Sequence, residues 1–280
     1  APFARRVLAL DESVLESRKR WIAELRGVPA GDSLLLAGRL CCLFDIRRQQ
    51  WCHITFLPNA TAHCQAYVRT LLQEIQVGTL LLFDLGYYNF EWFDTLTERG
   101  IWWISRIRRN GSYHIEHILV QRDGYFEALV FLGAYRADRT AYLTRMIRVR
   151  YQGSWYTYVT NVTDPLRLPG AHIVRLYARR WDIELGFRLL KEYLGMSWLF
   201  SAKLGVIEAQ VWATVLLAQL LHTLQVQTAV ETGVETFDVS LELLIRYLPD
   251  LQQTAQRYEI SLTEVIEKMG PGLGLIRPHT

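Results

Sequence analysis

One stretch of the chain, residues 171–195, constrains the fold most strongly because it has the length and periodicity of a long amphipathic helix. Pro169 and Gly170 precede it and Gly195 follows it, as is typical of helix ends. Its apolar side chains recur at intervals of three, four or seven residues: Ile173, Leu176, Ile183, Phe187, Leu190 and Leu194. At about 100° per residue these positions form one stripe. We therefore predict a helix of about six or seven turns packed against a core.

A second stripe on the neighbouring face carries polar side chains. It consists of Tyr177, Arg180, Glu184, Arg188 and Lys191. Mixed charges are ordinary on the solvated side of a helix, and Arg180 with Glu184 is an i, i+4 pair worth only about a few tenths of a kcal/mol. The order and spacing of Tyr, Arg, Glu and Lys nevertheless resemble the YREK signature of DDE transposases of the insertion-sequence four family. This resemblance implies that Glu184 is the third carboxylate of a catalytic triad.

Two aspartates can complete such a triad because each directly follows an apolar, strand-like run. Residues 6–10 lead into Asp11, and residues 79–83 lead into Asp84. In the family, the second aspartate is followed by any residue, then Gly, then Tyr or Phe, and residues 84–87 read Asp-Leu-Gly-Tyr. The resemblance therefore implies that these two aspartates and the helix glutamate are the catalytic carboxylates.

The first aspartate has a rival in the sequence. In the family it is usually followed by Gly or Thr and then a hydroxyl residue, whereas Glu12 and Ser13 follow Asp11. Asp45 also ends an apolar run and stays open as the alternative. We favour Asp11 because it ends the first predicted core strand, whereas Asp45 leads into the polar tip of a predicted hairpin.

Three carboxylates at one place require a counter-charge. Like charges about 4 Å apart repel by on the order of 4 kcal/mol at an effective dielectric constant near 20, so the cluster should protonate or bind a cation. Oxygen ligands without thiolates favour Mg²⁺, with Mn²⁺ as a substitute. The resemblance implies that Asp11, Asp84 and Glu184 hold two such ions, which activate water or a DNA 3′-hydroxyl for attack on a phosphodiester.

Several further residues are candidates for DNA binding, as cations, hydrogen-bond donors or stacking rings: Tyr177, Arg180, Arg188, Lys191, Trp181 and Trp155. Arginine and lysine neutralise phosphates, and a phenol can donate a hydrogen bond to one. Some family members use aromatic rings to stack on a displaced base, which is the role considered for both tryptophans. The alternative for any one of the nine tryptophans is core packing.

The order of predicted elements indicates an α/β fold, an RNase H-like mixed sheet flanked by helices. The predicted strands are 6–10, 40–45, 51–57, 79–83 and 101–107, and the predicted helices are 61–77, 90–98, 171–195, 206–226 and 241–251. We expect the first part of the core over residues 1–107, a β-rich insertion over 108–165, the YREK helix completing the core over 166–200, and a helical C-terminal region over 201–280.

The composition sets weaker limits. The net charge of +3 does not by itself indicate nucleic acid. Of the 31 basic residues 27 are arginine, whose guanidinium matches phosphate oxygens, although a base-composition bias in the coding DNA would give the same excess. Four cysteines without paired metal-ligand spacing are typical of reduced thiols in the cytoplasm. The longest apolar run, residues 211–221 apart from Thr214 and Gln219, is too short to cross a bilayer, so no membrane segment is expected.

The combined interpretation is the catalytic domain of a DDE transposase. It would cut DNA at transposon ends and join the 3′ end to target DNA, self-associating in a protein–DNA complex in the bacterial cytoplasm, bound to the nucleoid when on DNA. Because its first strand begins within a few residues, we expect a missing N-terminal domain. Two alternatives stay open: a transposase-derived DNA-binding protein without catalysis, and an RNase H-like nuclease without strand transfer.

Overall fold

The computed structural model describes residues 1–18, 23–61, 64–107, 110–135 and 138–277. The strands are β1 (Val7–Val14), β2 (Arg39–Asp45), β3 (Gln50–Leu57), β4 (Leu80–Phe83), β5 (Trp102–Arg106), β6 (Tyr113–Arg122), β7 (Tyr125–Leu132), β8 (Thr144–Tyr151) and β9 (Ser154–Thr160). The α-helices are α1 (Cys64–Leu71), α2 (Phe90–Glu98), α3 (Gly170–Ala178), α4 (Asp182–Arg188), α5 (Leu204–Thr232), α6 (Leu241–Tyr258) and α7 (Leu262–Met269).

The chain divides into two compact units. The first comprises Ala1–Ser13, Arg39–Arg47 and Cys52–Glu184, and the second comprises Val14–Gly38, Arg48–Trp51 and Leu185–Thr280. The predicted division into four segments is a different partition, and it stays a prediction.

A nine-stranded mixed sheet organises the first unit, in the order β3-β2-β1-β4-β5-β9-β8-β7-β6. The neighbours β1, β4 and β5 run parallel, whereas β5 pairs antiparallel with β9 and the strands β6 to β9 pair antiparallel with one another. The segment predicted to be rich in β structure does form strands, and through β9 these strands continue the main sheet.

The centre of this sheet is apolar because its central strands are covered by helices. β4 is buried along its whole length, as expected for a parallel strand with both faces covered. Phe83 at its end packs on Phe93 of α2 with ring centroids 5.9 Å apart, and Phe93 stacks on Trp103 of β5 at 4.5 Å. The large rings therefore fix α2 against the strands that position the site.

β1 is longer than the apolar run that predicted it. The strand continues beyond Leu10 through Asp11, so the prediction that Asp11 lies at a strand end is wrong. Two arginines make the extension possible, because Arg180 pairs with Asp11 and Arg39 pairs with Glu12 at 2.6 Å. Carboxylates with cationic partners can be accommodated in a partly buried strand.

The helix predicted over residues 171–195 is confirmed, but its geometry changes twice. α3 leads into a 3-10 turn at Arg179–Trp181, then into α4, and then into a π-helical turn at Leu189–Tyr193. Tighter and wider turns change the rotation per residue, so they alter which side chains face inward. In the 3-10 turn Arg180 is buried, whereas the adjacent Trp181 is 57% exposed.

The other predicted elements of this unit form with shifted ends. The hairpin and the helix at residues 90–98 are confirmed. The helix predicted at 61–77 includes residues 62 and 63, which lie outside the described ranges, and α1 ends early at Leu71. There the amides of Gln73 and Glu74 bond to carbonyls three residues back, which closes a turn instead of continuing the helix.

Helices dominate the second unit. α5, α6 and α7 enclose an apolar cluster that contains Leu244, Leu251 and Ile266. α7 begins where the Ser261 side chain caps the helix by accepting a hydrogen bond from the Glu264 amide at 3.1 Å. Among the described residues one helix, α5, is long and apolar enough to cross a membrane, a criterion that core helices also satisfy. The expectation of no membrane segment therefore stays a prediction.

Candidate active site

The two aspartates of the predicted triad lie next to each other because of the sheet register. β1 and β4 are parallel neighbours in which Leu10 is paired with Phe83. The residues that follow this pair are Asp11, on β1, and Asp84, directly after β4, so both lie at the same end of the paired segment. Residues 73 positions apart in the chain are thereby brought together.

Asp84 is held by its own turn. Its Oδ1 accepts a hydrogen bond from the Gly86 amide at 2.8 Å, which caps the 3-10 turn Leu85–Tyr87. A Cβ placed on Gly86 would lie 3.0 Å from that Oδ1. The glycine in the Asp-Leu-Gly-Tyr segment therefore has a local explanation, because it leaves room for the aspartate to cap the turn.

Arg180 joins the first aspartate to the glutamate of the helix. Its Nη1 donates to Asp11 Oδ2 at 2.6 Å, and its Nη2 donates to Glu184 Oε1 at 2.9 Å. The arginine side chain is only 8% exposed, whereas that of Glu184 is 36% exposed. The guanidinium thus connects a partly buried strand carboxylate with a carboxylate that is more exposed to solvent.

The other two carboxylates of the predicted triad act electrostatically on Asp11. The pKa of Asp11 is raised to about 6, chiefly by burial and also by the negative charges of Asp84 and Glu184, against the opposing effects of the Glu12 amide and Arg180. Burial lowers the pKa of Arg180, but the attraction of Asp11, Tyr177 and Glu184 outweighs it, so the net shift is upward. The predicted triad therefore shares a single electrostatic environment.

Tyr177 is buried beside the end of β4. Its hydroxyl donates to the Phe83 carbonyl at 3.4 Å, and its ring packs on Tyr158 at 5.3 Å. Burial raises the pKa of Tyr177 to about 12, so the phenol is a neutral donor at physiological pH. Tyr177 thus braces the strand that delivers Asp84, and its predicted contact with DNA stays a prediction.

The rival aspartate takes part in a different ion pair. Asp45 is buried at the end of β2, where its Oδ2 accepts from Arg6 Nε at 3.2 Å and its Oδ1 accepts from the Arg47 amide at 3.0 Å. The carboxylates that shift the pKa of Asp11 are Asp84 and Glu184. The geometry therefore favours Asp11 over Asp45 as the first carboxylate.

The remaining predicted DNA-binding residues are distributed over both units. In the first unit, Trp155 and Trp181 are 45% and 57% exposed, in contrast to the buried rings of the core. In the second unit, Arg188 is exposed and Lys191 Nζ donates to the Val14 carbonyl at 2.6 Å. The two tryptophans therefore have faces available for stacking, and the assignment of all four stays a prediction.

Two arginines near the site were not predicted from the sequence. Arg106 ends β5 and Arg148 lies on β8, and both line a cavity of about 670 Å³ that also contacts Leu85, the residue after Asp84. Arg148 lies over the ring of Trp155 at 5.1 Å, which places a cation and an aromatic ring at one rim. With 27 arginines in the chain, only the strand order can single these two out.

The donor set fits a hard divalent cation in its chemistry, since it consists of carboxylate oxygens. Among the described residues, however, no group of three or more His, Cys, Asp or Glu side chains is assembled closely enough to hold an ion. Arg180 contacts two of the predicted ligands, Asp11 and Glu184. The guanidinium therefore occupies one oxygen of each of these two carboxylates.

Comparison with known proteins defines the class. Residues 5–221 match the family model described as "Transposase DDE domain", so the chain belongs to this family. The structure resembles a piggyBac transposase in a synaptic complex with hairpin DNA, with a TM-score of 0.53 at 8% sequence identity, covering 88% of this chain and 52% of the other. This likeness concerns the fold alone, and it agrees with the predicted RNase H-like α/β architecture.

Two curated relatives narrow the assignment. The chain is 26% identical over 170 residues to the transposase InsG of insertion sequence element IS4 from Escherichia coli K12, covering 57% of this chain and 38% of that protein. It is 26% identical over 156 residues to the putative transposase y4zB of Sinorhizobium fredii, covering 53% and 43%. The resemblance to insertion-sequence four transposases is thereby confirmed, and the matches span less than half of each relative.

Proposed function

We propose that the chain is the catalytic domain of a DNA transposase that cleaves DNA at transposon ends and transfers the 3′ end to target DNA. The observation that supports this most strongly is the convergence of Asp11, Asp84 and Glu184, which come from two parallel strands and a helix far apart in the sequence. A merely structural ion pair of Arg180 has no need of Asp84, whose charge raises the pKa of Asp11.

Membership in the DDE transposase family implies a divalent-metal requirement, and Asp11, Asp84 and Glu184 are the residues that would hold Mg²⁺, or Mn²⁺ in its place. The chemistry supplied there is activation of water or a 3′-hydroxyl and stabilisation of the leaving oxygen. The protein's own contribution is orientation. Gly86 fixes Asp84 through its amide, and Tyr177 fixes the end of β4.

The cavity lined by Leu85, the residue after Asp84, carries groups suited to contacts with DNA. Arg106 and Arg148 can neutralise phosphates there, and the exposed face of Trp155 can stack on a base. Transposon-end DNA and target DNA are the proposed partners, with self-association of the protein in the complex.

A DNA-binding descendant without catalysis is the second candidate. It is favoured by one observation, the contact of Arg180 with two of the three carboxylates in place of an assembled ligand group among the described residues. The two candidates differ in cleavage and not in DNA affinity.

The test is strand cleavage of the element's own terminal DNA by the purified protein with Mg²⁺. Glu184→Gln and Asp11→Asn should each reduce the rate by about 1,000-fold, the order expected for loss of metal-assisted catalysis of several kcal/mol. Glu208→Gln, on the exposed side of α5, is the matched control and should cleave normally. If the unmodified protein binds the ends without cutting them, the non-catalytic candidate is correct.

A further inference from the structure

Arg180 forms hydrogen bonds with carboxylate oxygens that a divalent cation would need. The inference drawn from this contact rests on the proposed function of the site. The two oxygens that accept from its guanidinium, Asp11 Oδ2 and Glu184 Oε1, belong to two of the three proposed metal ligands. Arginine is suited to such bridging because its planar fork presents separate N–H groups to separate carboxylates. The contact therefore supplies the counter-charge that clustered carboxylates require.

A guanidinium and a divalent cation compete for these oxygens. The other oxygen of Asp11, Oδ1, already accepts a hydrogen bond from the Glu12 amide at 2.8 Å, and Oδ2 accepts from Arg180 Nη1 at 2.6 Å. Both species are positive, so a cation that binds the same oxygen as the guanidinium is repelled by it. Binding of one should therefore weaken binding of the other at Asp11.

The surroundings of Arg180 give its guanidinium a route away from the carboxylates. Its Nε is buried and has no hydrogen-bond partner among the described residues, so the described hydrogen bonds hold this group through its two Nη atoms. The ring of Trp181 lies 5.1 Å from the guanidinium carbon and is 57% exposed. A cation–π contact with this ring can support the side chain as it turns toward solvent.

We propose that Arg180 competes with divalent cations for Asp11 and Glu184, and that metal binding releases its guanidinium to a DNA phosphate. Arg180 thus has two alternating partners, the carboxylates of its own protein and the substrate backbone. Because metal and phosphate then favour the same arginine position, each should strengthen the binding of the other.

The experiment measures Mn²⁺ binding without DNA, from the electron paramagnetic resonance signal of free Mn²⁺. Arg180→Lys keeps the charge but loses the fork, and Arg180→Gln loses both. Both variants should bind Mn²⁺ at least about fivefold more tightly than the unmodified protein, the lower end of typical coupling between sites. Arg179→Gln is the control, since its guanidinium pairs with Asp182 and is 46% exposed, and its affinity should stay within about twofold. Equal or weaker binding by Arg180→Lys overturns the competition.

A second measurement uses the unmodified protein and so does not depend on how the variants fold. The Nε–Hε resonance of Arg180, assigned by its loss in Arg180→Lys, is followed while Mg²⁺ is added. It should shift in step with metal binding, and the shift should be absent in Asp11→Asn. A resonance that stays in place while Mn²⁺ binding still requires Asp11 and Glu184 overturns the role of Arg180 alone. Absence of Mn²⁺ binding in every protein overturns both this inference and the proposed function.

Discussion

Two buried arginines in the first unit form ion pairs with carboxylates in different surroundings. Arg145 on β8 is fully buried, pairs with Glu127 at 2.7 Å, and donates to the carbonyls of Val162, Asp164 and Leu168. These carbonyl oxygens belong to the loop that precedes the YREK helix. Arg145 therefore holds this loop against β8.

Arg180 has the opposite surroundings. Its partners are carboxylates, and Glu184 reaches solvent. The pKa values reflect the contrast: burial outweighs the attraction of Glu127 and lowers the pKa of Arg145, whereas the neighbouring negative charges raise the pKa of Arg180. An arginine held by backbone oxygens is structural, while one held by carboxylates next to solvent can exchange partners.

The largest expected effect comes from breaking the buried ion pair of Arg145 and Glu127. Arg145→Met removes the cation and leaves Glu127 buried and uncompensated, which should lower the free energy of unfolding by about 3 to 5 kcal/mol. Urea denaturation measures this loss. The double variant Arg145→Met/Glu127→Leu should recover part of it, because no buried charge is then left alone. A single-variant loss below about 1 kcal/mol would contradict the structural role.

The ion pair of Arg180 and Asp11 should instead make the free energy of unfolding depend on pH. The folded-state pKa of Asp11, about 6, lies above its ordinary value of 3.8. The neutral carboxyl therefore favours the folded state and the charged carboxylate disfavours it. The contribution of Asp11 to the free energy of unfolding is complete below about pH 4 and is lost as the pH rises through about 6. Relative to Asp11→Asn, the unmodified protein should lose about 2 to 3 kcal/mol over this interval in EDTA. A constant difference between the two unfolding curves would show that the carboxyl is not perturbed.

The start of the YREK helix should be sensitive to a larger side chain at Gly170, which lies beside Tyr125 and Glu127. A Cβ on Gly170 would lie 2.0 Å from Tyr125 Oη, whose hydroxyl bonds to Glu127. Gly170→Ala should therefore destabilise the protein by about 1 to 2 kcal/mol through overpacking. Gly205→Ala is the matched control, because its Cβ would meet nothing within 4 Å and alanine favours the helix. Thermal unfolding distinguishes the two, and equal effects would count against the packing explanation.

The smallest expected effect tests whether Arg106 and Arg148 bind DNA phosphates, as proposed for Arg180. Replacing either one with Ala should weaken binding to duplex ends by about 1 kcal/mol and reduce the slope of log affinity against log salt by about one. Arg257→Ala, on α6 of the second unit, supplies the control for loss of one charge. An unchanged salt slope for both site variants would remove them from the DNA path.

Much of the local structure could be predicted from the sequence. The apolar run of β4 and the Asn89 side chain that caps α2 by accepting from the Trp92 amide are local signals, and each element formed close to its predicted ends. The extent of β1 could not be predicted in this way. Its polar half is stable because Arg180 and Arg39 come from elsewhere in the chain.

The sequence by itself determined which chemical groups are present and how they repeat: the Tyr, Arg, Glu and Lys spacing, the Asp-Leu-Gly-Tyr turn and the strand and helix periods. Only the tertiary structure decided which arginine belongs to which carboxylate. Arg180 and Asp11 are separated by 169 residues, and they meet because β1 and β4 are in register beside the YREK helix. Periodicity depends on neighbours within a few residues, whereas partner choice depends on strand order.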